Sequence, residues 1–330
     1  MPARRVIGVD LGGTKLLAGA VDARLGVHHR VQRSVTGLPQ QALLDVAVAA
    51  VSEAREAAGA EVAAVGFGLP CLIDRATGRV VVGVHTPLAD IPFADVMAER
   101  LGLPVFVDND GNAAVLAEHR AGAARGASDV LALTLGTGIG GGLILDGRLY
   151  RGARGGAGEL GHIEIDLDGP ADVDNCRGRG CAELYVSGRA IVAEAARLAE
   201  QRPESGLGRA LAAGRDLAGP LITELAHDGD AAAIEAVQLV GTRLGGLITS
   251  LVNVFNPEVV VIGGGVIAAG ELLLAPARAV VVERVFPYFA DRLRIVPARF
   301  GVEAGMIGAA ALAFDGLAAA GPEAAAGAGV

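Results

Sequence analysis

The order of apolar and polar positions splits the chain into short β-branched runs and longer stretches of helical spacing. Arg5-Val6-Ile7-Gly8-Val9 is one apolar run, and Leu16-Leu17-Ala18-Gly19-Ala20-Val21, closed by Asp22, is another. Asp10-Leu11-Gly12-Gly13-Thr14-Lys15 lies between them, which reads as strand, tight glycine turn, strand. Residues 26–35 supply a third strand. Leu44, Val48 and Val51, with Leu43 beside them, recur at helical spacing within residues 40–58. Strands are predicted at 61–68, 80–84 and 104–107, and helices at 91–101 and 111–124. Beyond a polar, glycine-rich stretch at 151–180, helices are predicted at 182–199, 206–213, 218–226 and 231–255. The last of these has Asp230 as N-cap and Asn256-Pro257 as its stop. Residues 258–262 form a strand running into Gly263-Gly264-Gly265, and a helix follows to about 281. Residues 294–297 are strand-like and 303–314 make a last helix. From Gly316 the Ala/Gly-rich tail is expected to fray. Strands alternating with helices predict an α/β fold.

The first hairpin has a counterpart 124 positions further on. Laid over it, Val6 meets Val130, Leu11 meets Leu135 and Gly12 meets Gly136, while Asp22, Arg24 and Leu25 fall on Asp146, Arg148 and Leu149. The second copy reads Thr134-Leu135-Gly136-Thr137-Gly138-Ile139-Gly140-Gly141-Gly142. Two such hairpins opening two halves of one chain predict a duplicated domain with a ligand held between the copies. Chance likeness of two glycine-rich hairpins is the alternative.

Composition narrows the class. The 330 residues are 52% hydrophobic but only 3% aromatic, enough chain for one large or two medium domains with a buried core. A formal net charge of −9 without a basic stripe argues against a nucleic-acid partner. No signal peptide precedes the first strand, and no apolar run of membrane-spanning length is free of charges or glycine clusters, so no membrane partner is expected. Three cysteines do not make a disulfide framework; Cys176 and Cys181 suit a metal pair in a reducing, cytoplasmic setting.

The glycine clusters carry the first chemistry. Gly136-x-Gly138-x-x-Gly141 formally fits a dinucleotide fingerprint, but strand and turn follow it where that motif needs a helix. Turns without Cβ atoms instead present backbone N–H groups to an anion. The two tips and Gly263-Gly264-Gly265 are expected to cradle a nucleotide, with Asp10, Thr14, Lys15 and Thr137 the polar groups nearby. Asp108-Asn109-Asp110 ends an apolar strand, where open α/β sheets bind ligands. Asp110 suits the carboxylate that takes a proton from an attacking hydroxyl, and Asn109 suits a neighbouring hydroxyl. The competing role for Asp108 or Asp110 is to cap the helix that follows. Gly158-Glu159-Leu160-Gly161-His162 and Glu183 offer directional partners for a polyhydroxy ligand. His162, Cys176 and Cys181 are three candidate zinc ligands, with Asp174 a candidate fourth; two free thiols in a loop is the plainer reading.

Together, residues 10–15, 108–112, 135–142 and 158–162, Gly180-Cys181-x-Glu183 and Asn256-Pro257…Gly263-Gly264-Gly265 resemble the ROK (repressor, open reading frame, kinase) sugar kinases, in order over nearly the whole chain. The resemblance implies duplicated actin-like, hexokinase-like (ribonuclease H-like) domains flanking a nucleotide- and sugar-binding cleft. It implies a small domain of 1–111 plus about 303–318, a large domain of 112–302 and a disordered tail of 319–330. It further implies ATP and Mg²⁺, a homodimer or homotetramer, Asp110 as catalytic base, and sugar contacts at Asn109, Glu159, His162 and Glu183, with Gly68 and Thr86 beside them. Glucokinase is the activity implied. Three departures stand out. Asp174 and Arg177 occupy positions where the family's zinc segment has Cys and Gly. Cys71 stands where the family often has Gly. His85-Thr86-Pro87-Leu88 lacks the Asn-Leu pair of glucokinases, and the chain has no Trp. An N-acetylglucosamine or N-acetylmannosamine kinase is therefore the second expectation, and a sugar-sensing protein without catalysis the third. Family repressors carry a helix-turn-helix ahead of the first hairpin; only residues 1–4 precede it here, which disfavours a repressor.

Overall fold

The computed structural model describes residues 4–83, 86–171 and 176–324, with side chains as far as Ala320. His85, Asp174 and residues 325–330 lie outside the described residues. The chain opens with β1 (Arg5–Leu11), β2 (Lys15–Asp22), β3 (Val27–Ser34), α1 (Gln40–Glu56) and β4 (Val62–Leu69). Then come β5 (Cys71–Asp74), β6 (Arg79–Gly83), β7 (Ala89–Ile91), α2 (Phe93–Leu101), β8 (Val105–Asn109) and α3 (Asp110–Ala121). The second hairpin is β9 (Val130–Leu135) and β10 (Ile139–Leu145), followed by β11 (Arg148–Leu149). Helices α4 (Glu183–Val186), α5 (Gly188–Gln201), α6 (Gly206–Ala212), α7 (Gly219–His227) and α8 (Ala231–Phe255) precede β12 (Val259–Gly263). The chain closes with α9 (Glu271–Arg284), α10 (Pro287–Ala290), β13 (Arg294–Pro297) and α11 (Ala304–Ala324).

The predicted duplication is visible in the sheets. One has the order β3-β2-β1-β4-β8 and the other β11-β10-β9-β12-β13, so each sets a meander beside two crossover strands. In the first, β1–β2 and β2–β3 are antiparallel while β1–β4 and β4–β8 are parallel. In the second, β10–β11 is antiparallel and β12–β13 parallel. A third, small sheet has the order β5-β6-β7; the sequence pattern had not separated β5 from the strand before it.

The chain divides into two compact units. The first comprises residues up to Ala132, Gly142–Gly158 and Ala298 onward; the second comprises Leu133–Gly141 and Glu159–Pro297. Against the expected 1–111 and 112–302, α3 and residues 142–158 belong with the first unit. In that unit α1 and α2 cover one sheet face, burying Leu43, Leu44, Phe67, Phe93 and Met97. The other face is closed by α11, which lies directly on glycines. A Cβ on Gly8 would come within 2.0 Å of Met306 O, and one on Gly66 within 1.8 Å of Ala309 O. Gly308 of α11 is equally tight against Ala113 O of α3, at 1.7 Å. Such positions admit no side chain, so glycine here is a packing requirement.

In the second unit, the Asp230 carboxylate accepts the Ala233 N–H at the start of α8, and Asn256 ends the helix in the left-handed region at φ 46°. Gly241 and Gly245 let α9 approach, with ideal Cβ positions 2.4 Å from Leu273 O and 2.5 Å from Ala277 O. Helix α8 and residues Gly301–Ala320 are long and apolar enough to cross a bilayer by length and composition alone, but 56% and 50% of their apolar windows is buried within the protein. The helix predicted at 182–199 is broken at Ser187, whose extended backbone (ψ 177°) and Oγ, accepting the Ala190 N–H, start α5 anew. The last helix continues past the expected end at Phe314, through the expected frayed segment to Ala324. Its alanines lose little entropy in a helix, which outweighs the scarcity of packing partners.

Candidate functional site

Three candidate residues of the first unit converge at the C-terminal ends of its parallel strands. Asp10 on β1 pairs with Gly68 on β4, and Gly68 pairs with Asp108 on β8. Gly68 is the gap between the carboxylates: its ideal Cβ would lie 3.6 Å from Asp110 Cα and 3.2 Å from the Ala113 methyl. Asn109, rather than either aspartate, caps α3, its Oδ1 accepting the N–H groups of Gly111 and Asn112. Its amide NH₂ remains for a ligand hydroxyl. Asp108 is structural: its buried carboxylate accepts Asn112 Nδ2 at 2.8 Å and Arg151 Nε at 2.6 Å. That leaves Asp110 without an ion-pair partner among the described residues, its Oδ1 accepting its neighbour's Gly111 N–H at 2.9 Å. Burial holds Asp110 above the usual carboxylate range. Asp10 is pushed up to about 7, first by burial and then by the Asp110 charge, with Lys15 pulling the other way. Its carboxylate has no hydrogen-bond partner among the described residues and lies against Gly305, whose ideal Cβ would be 2.6 Å from Asp10 Cγ.

Cys71 is buried close enough to Asp110 for that charge to count; burial first and Asp110 second push its thiol up to about 12. An inert thiol results. Its strand partner is Gly83, where a Cβ would meet Thr86 Cγ2 at 2.3 Å. The Thr86 hydroxyl is buried without a hydrogen-bond partner among the described residues, an orphan of the kind a bound ligand satisfies. At the first hairpin tip, Gly12 and Gly13 are half-buried while Thr14 and Lys15 are exposed. Lys15 is the only lysine in the chain, a signal that composition alone offered and the motif reading did not use.

In the second unit the other candidates gather around the second tip. The Glu183 carboxylate accepts the Ile139 N–H at 2.6 Å and Arg189 Nη2 at 2.6 Å. Gly138 exists as glycine because a Cβ there would sit 2.1 Å from that carboxylate. Arg189 Nε donates to Thr137 O at 3.1 Å, and the Gly188 N–H to Gly136 O at 2.8 Å. Arg189 was invisible in the sequence: it sits two residues past the unexpected break at Ser187. The turn carrying Glu159 and His162 packs on the same tip, Gly161 lying against Ile139 with its ideal Cβ 3.5 Å from Glu183 Oε2. His162 Nε2 is 4.0 Å from Glu159 Oε2.

Beside the tip opens a cavity of about 840 Å³, lined by Gly136, Thr137, Arg189 and Gly265 and walled by apolar groups such as Ile191, Leu217, Pro220 and Val266, with Asp216 and Thr223 as polar points. Few directional groups on an apolar wall suit a flat heterocycle joined to an anion. Of the glycine triplet only Gly265 lines it. Gly263 ends β12, and Gly264 (φ 82°) has no room for a Cβ, 2.3 Å from Leu135 O.

His162, Cys176 and Cys181 can offer ligand atoms all within 4.8 Å of one another. The two sulfurs are 3.6 Å apart; on a tetrahedral zinc with bonds of about 2.3 Å they would be roughly 3.8 Å apart. The donor set and its spacing therefore fit zinc, with Asp174, the expected fourth ligand, outside the described residues.

Known proteins resemble this chain over most of its length. The model of the ROK family matches residues 6–315. A glucokinase from Thermotoga maritima is 36% identical over 315 residues, 94% of this chain and 98% of its own length. The crystal structure of a ROK family glucokinase from Streptomyces griseus in complex with glucose and AMPPNP matches at a TM-score of 0.85 and 36% identity, over 94% of this chain and 99% of that one. A ROK hexokinase from Thermus thermophilus matches at a TM-score of 0.75 and 34% identity, over 94% and 98%. The duplicated actin-like, hexokinase-like α/β fold is thus common to all of them. Because the family match takes in both glycine hairpins, the Asp108-Asn109-Asp110 strand end and the Gly263-Gly264-Gly265 cluster, this chain belongs to the ROK family.

Proposed function

We propose that the chain is an ATP-dependent hexose kinase of the glucokinase type, moving the γ-phosphoryl group of ATP onto a sugar's primary hydroxyl, O6. The observation that carries this reading is Asp110. It is a carboxylate at a parallel strand end, without a cationic partner among the described residues, and burial raises it above the usual carboxylate range. In the transfer, Asp110 takes the proton of the attacking hydroxyl as the O–P bond forms and the bond to the ADP oxygen breaks. Asn109 Nδ2 and the orphaned Thr86 hydroxyl would hold neighbouring sugar hydroxyls, with the backbone of Gly68 leaving room for them. Glu159, His162 and the unused lone pairs of Glu183 would add further sugar contacts; a carboxylate has about four acceptor sites, and Glu183 spends two on the protein.

The amides of Gly12, Gly13, Gly136 and Gly138, with Thr14, Thr137 and Lys15, would hold the phosphates, and the cavity bordered by Gly265 would take the adenosine. Asp10, whose carboxylate has no hydrogen-bond partner among the described residues, would be the hard oxygen donor to Mg²⁺, which would supply positive charge to the phosphates. Zinc on His162, Cys176 and Cys181 would fix the His162 ring and its tautomer, so that the other ring nitrogen meets the sugar in one orientation.

An N-acetylhexosamine kinase is the second reading. It is favoured by the altered segment His85-Thr86-Pro87-Leu88, which lacks the Asn-Leu pair of glucokinases. ADP release measured over glucose, mannose, fructose, N-acetylglucosamine and N-acetylmannosamine decides between them, and release with none of the sugars would leave the sensing role instead. Asp110→Asn is expected to keep sugar binding while lowering turnover on the order of 10²–10⁴-fold. Turnover like that of the unaltered chain would overturn the assignment.

A further inference from the structure

A second cavity, of about 500 Å³, lies within the first unit and has no part in the chemistry above. It is lined by Arg24 on the β2–β3 turn, Arg120 near the end of α3, Arg125 on the loop that follows, and Leu25, Phe314 and Asp315 among its other residues. Arg120 donates through Nη2 to both Asp315 oxygens at 2.8 Å. The Arg24 and Arg125 guanidinium groups have no hydrogen-bond or ion-pair partner among the described residues. Three cations against one anion thus face one cavity in a chain whose formal net charge is −9. Like charges gathered without partners repel, and a bound anion relieves that repulsion.

The backbone that carries Arg24 and the loop before Arg125 are also held in place. Asp22 Oδ1 accepts the N–H groups of Arg24 and Gly26, and Leu25 is fixed at φ 63° by its N–H to Asp22 O. The loop before Arg125 is tied down by Glu118, whose Oε2 accepts the Ala123 N–H and whose backbone carbonyl accepts that of Ala124. The last carbonyl of α3, on Ala121, already receives Arg299 Nη1 at 3.2 Å, so the negative helix end is partly offset. Leu25 and Phe314 add an apolar wall. Asp110 begins α3 and this cavity adjoins its other end, roughly 16 Å of helix away at about 1.5 Å per residue.

We infer that this cavity is a binding site for a small organic phosphate, its phosphate group between Arg24 and Arg125 and its carbon body against Leu25 and Phe314. Planar guanidinium forks match phosphate oxygens, and a rigid mount lowers the entropy lost on binding. The test is calorimetric titration of the full chain with phenyl phosphate and with inorganic phosphate, a saturating ATP analogue being present to fill the nucleotide site. Phenyl phosphate is expected to bind more tightly than inorganic phosphate. The double variant Arg24→Ala, Arg125→Ala should weaken phenyl phosphate at least about tenfold, since two charge-assisted bonds are lost, and Asp315→Asn, which frees Arg120, should strengthen it. Unfolding midpoints recorded alongside separate a lost site from a lost fold. No binding at millimolar concentrations, or equal affinity in the folded double variant, would overturn the inference.

Discussion

At the first hairpin the Gly12 N–H closes the turn on Lys15 O at 2.9 Å, and outside support comes from the Val35 N–H and the Thr36 hydroxyl on Thr14 O. At the second, the Gly136 N–H closes on Gly138 O at the same 2.9 Å. There the tip is gripped by a buried carboxylate, a guanidinium and the start of α5. The two turns descend from one pattern and occupy equivalent places in their sheets, yet they are braced differently. The first carries its own charge, Lys15, and leaves it exposed. The second has Ile139, buried, at the matching position and no charge of its own. It relies on amides held rigid by Glu183 and Arg189. One copy steers and the other positions, and removing a brace should therefore hurt only the second.

Arg189→Ala is expected to have the larger effect. It removes the bond to Thr137 O and leaves Glu183 buried without its partner. Charged hydrogen bonds contribute about 1.5–3 kcal/mol, so the KM for ATP should rise roughly ten- to a hundredfold while the KM for sugar moves less. Steady-state kinetics with each substrate varied in turn would show this. A rise confined to the sugar KM would mean that Glu183, not the tip, is what Arg189 serves.

A milder and more direct comparison adds one methyl group to each tip. In Gly138→Ala the new carbon would meet the Glu183 carboxylate at 2.1 Å; in Gly12→Ala the nearest atom, Lys15 O, is 3.3 Å away. Overpacking of the first kind costs about 1–3 kcal/mol. Gly138→Ala should accordingly lower the unfolding midpoint by several degrees, and Gly12→Ala should leave it nearly unchanged. Equal shifts would show that the two turns are braced alike.

Much of this was legible from local pattern. The hairpins follow from apolar runs meeting at glycines, and α8 from its spacing, its Asp230 cap and its Asn256-Pro257 stop. Asp110 was legible as a polar residue at a strand end, but Asn109 as the cap was not, because all three neighbours are good caps and only backbone geometry chooses. The break at Ser187 was hidden by helix-favouring residues on both sides. The brace at Arg189 and the cavity polar points Asp216 and Thr223 were beyond reach, since only tertiary packing brings α5, α7 and the segment before α7 around one cavity. Lys15 was the exception: in a chain that uses arginine everywhere else, one lysine at a glycine turn stands out by composition alone.

The smallest effect concerns the position where the two copies part chemically. Offset by 124, Asp10 falls on Thr134, so the first copy places a carboxylate where the second has a hydroxyl. In the folded chain Asp10 is raised from 3.8 to about 7, by burial before all else. The folded state therefore holds a proton on Asp10 that the unfolded chain releases near pH 4. Asp10's contribution to stability is complete below about pH 4 and is lost as pH rises through 7. Asp10→Asn keeps the shape without the charge, and without a nucleotide or metal it should match the unaltered chain at pH 4 and exceed its unfolding midpoint by a few degrees at pH 8. Thr134→Val, by contrast, carries no titration and should show the same offset at both pH values. A midpoint difference for Asp10→Asn that does not change between pH 4 and pH 8 would mean that folding leaves the titration of Asp10 unshifted, with Lys15 offsetting the effect of burial.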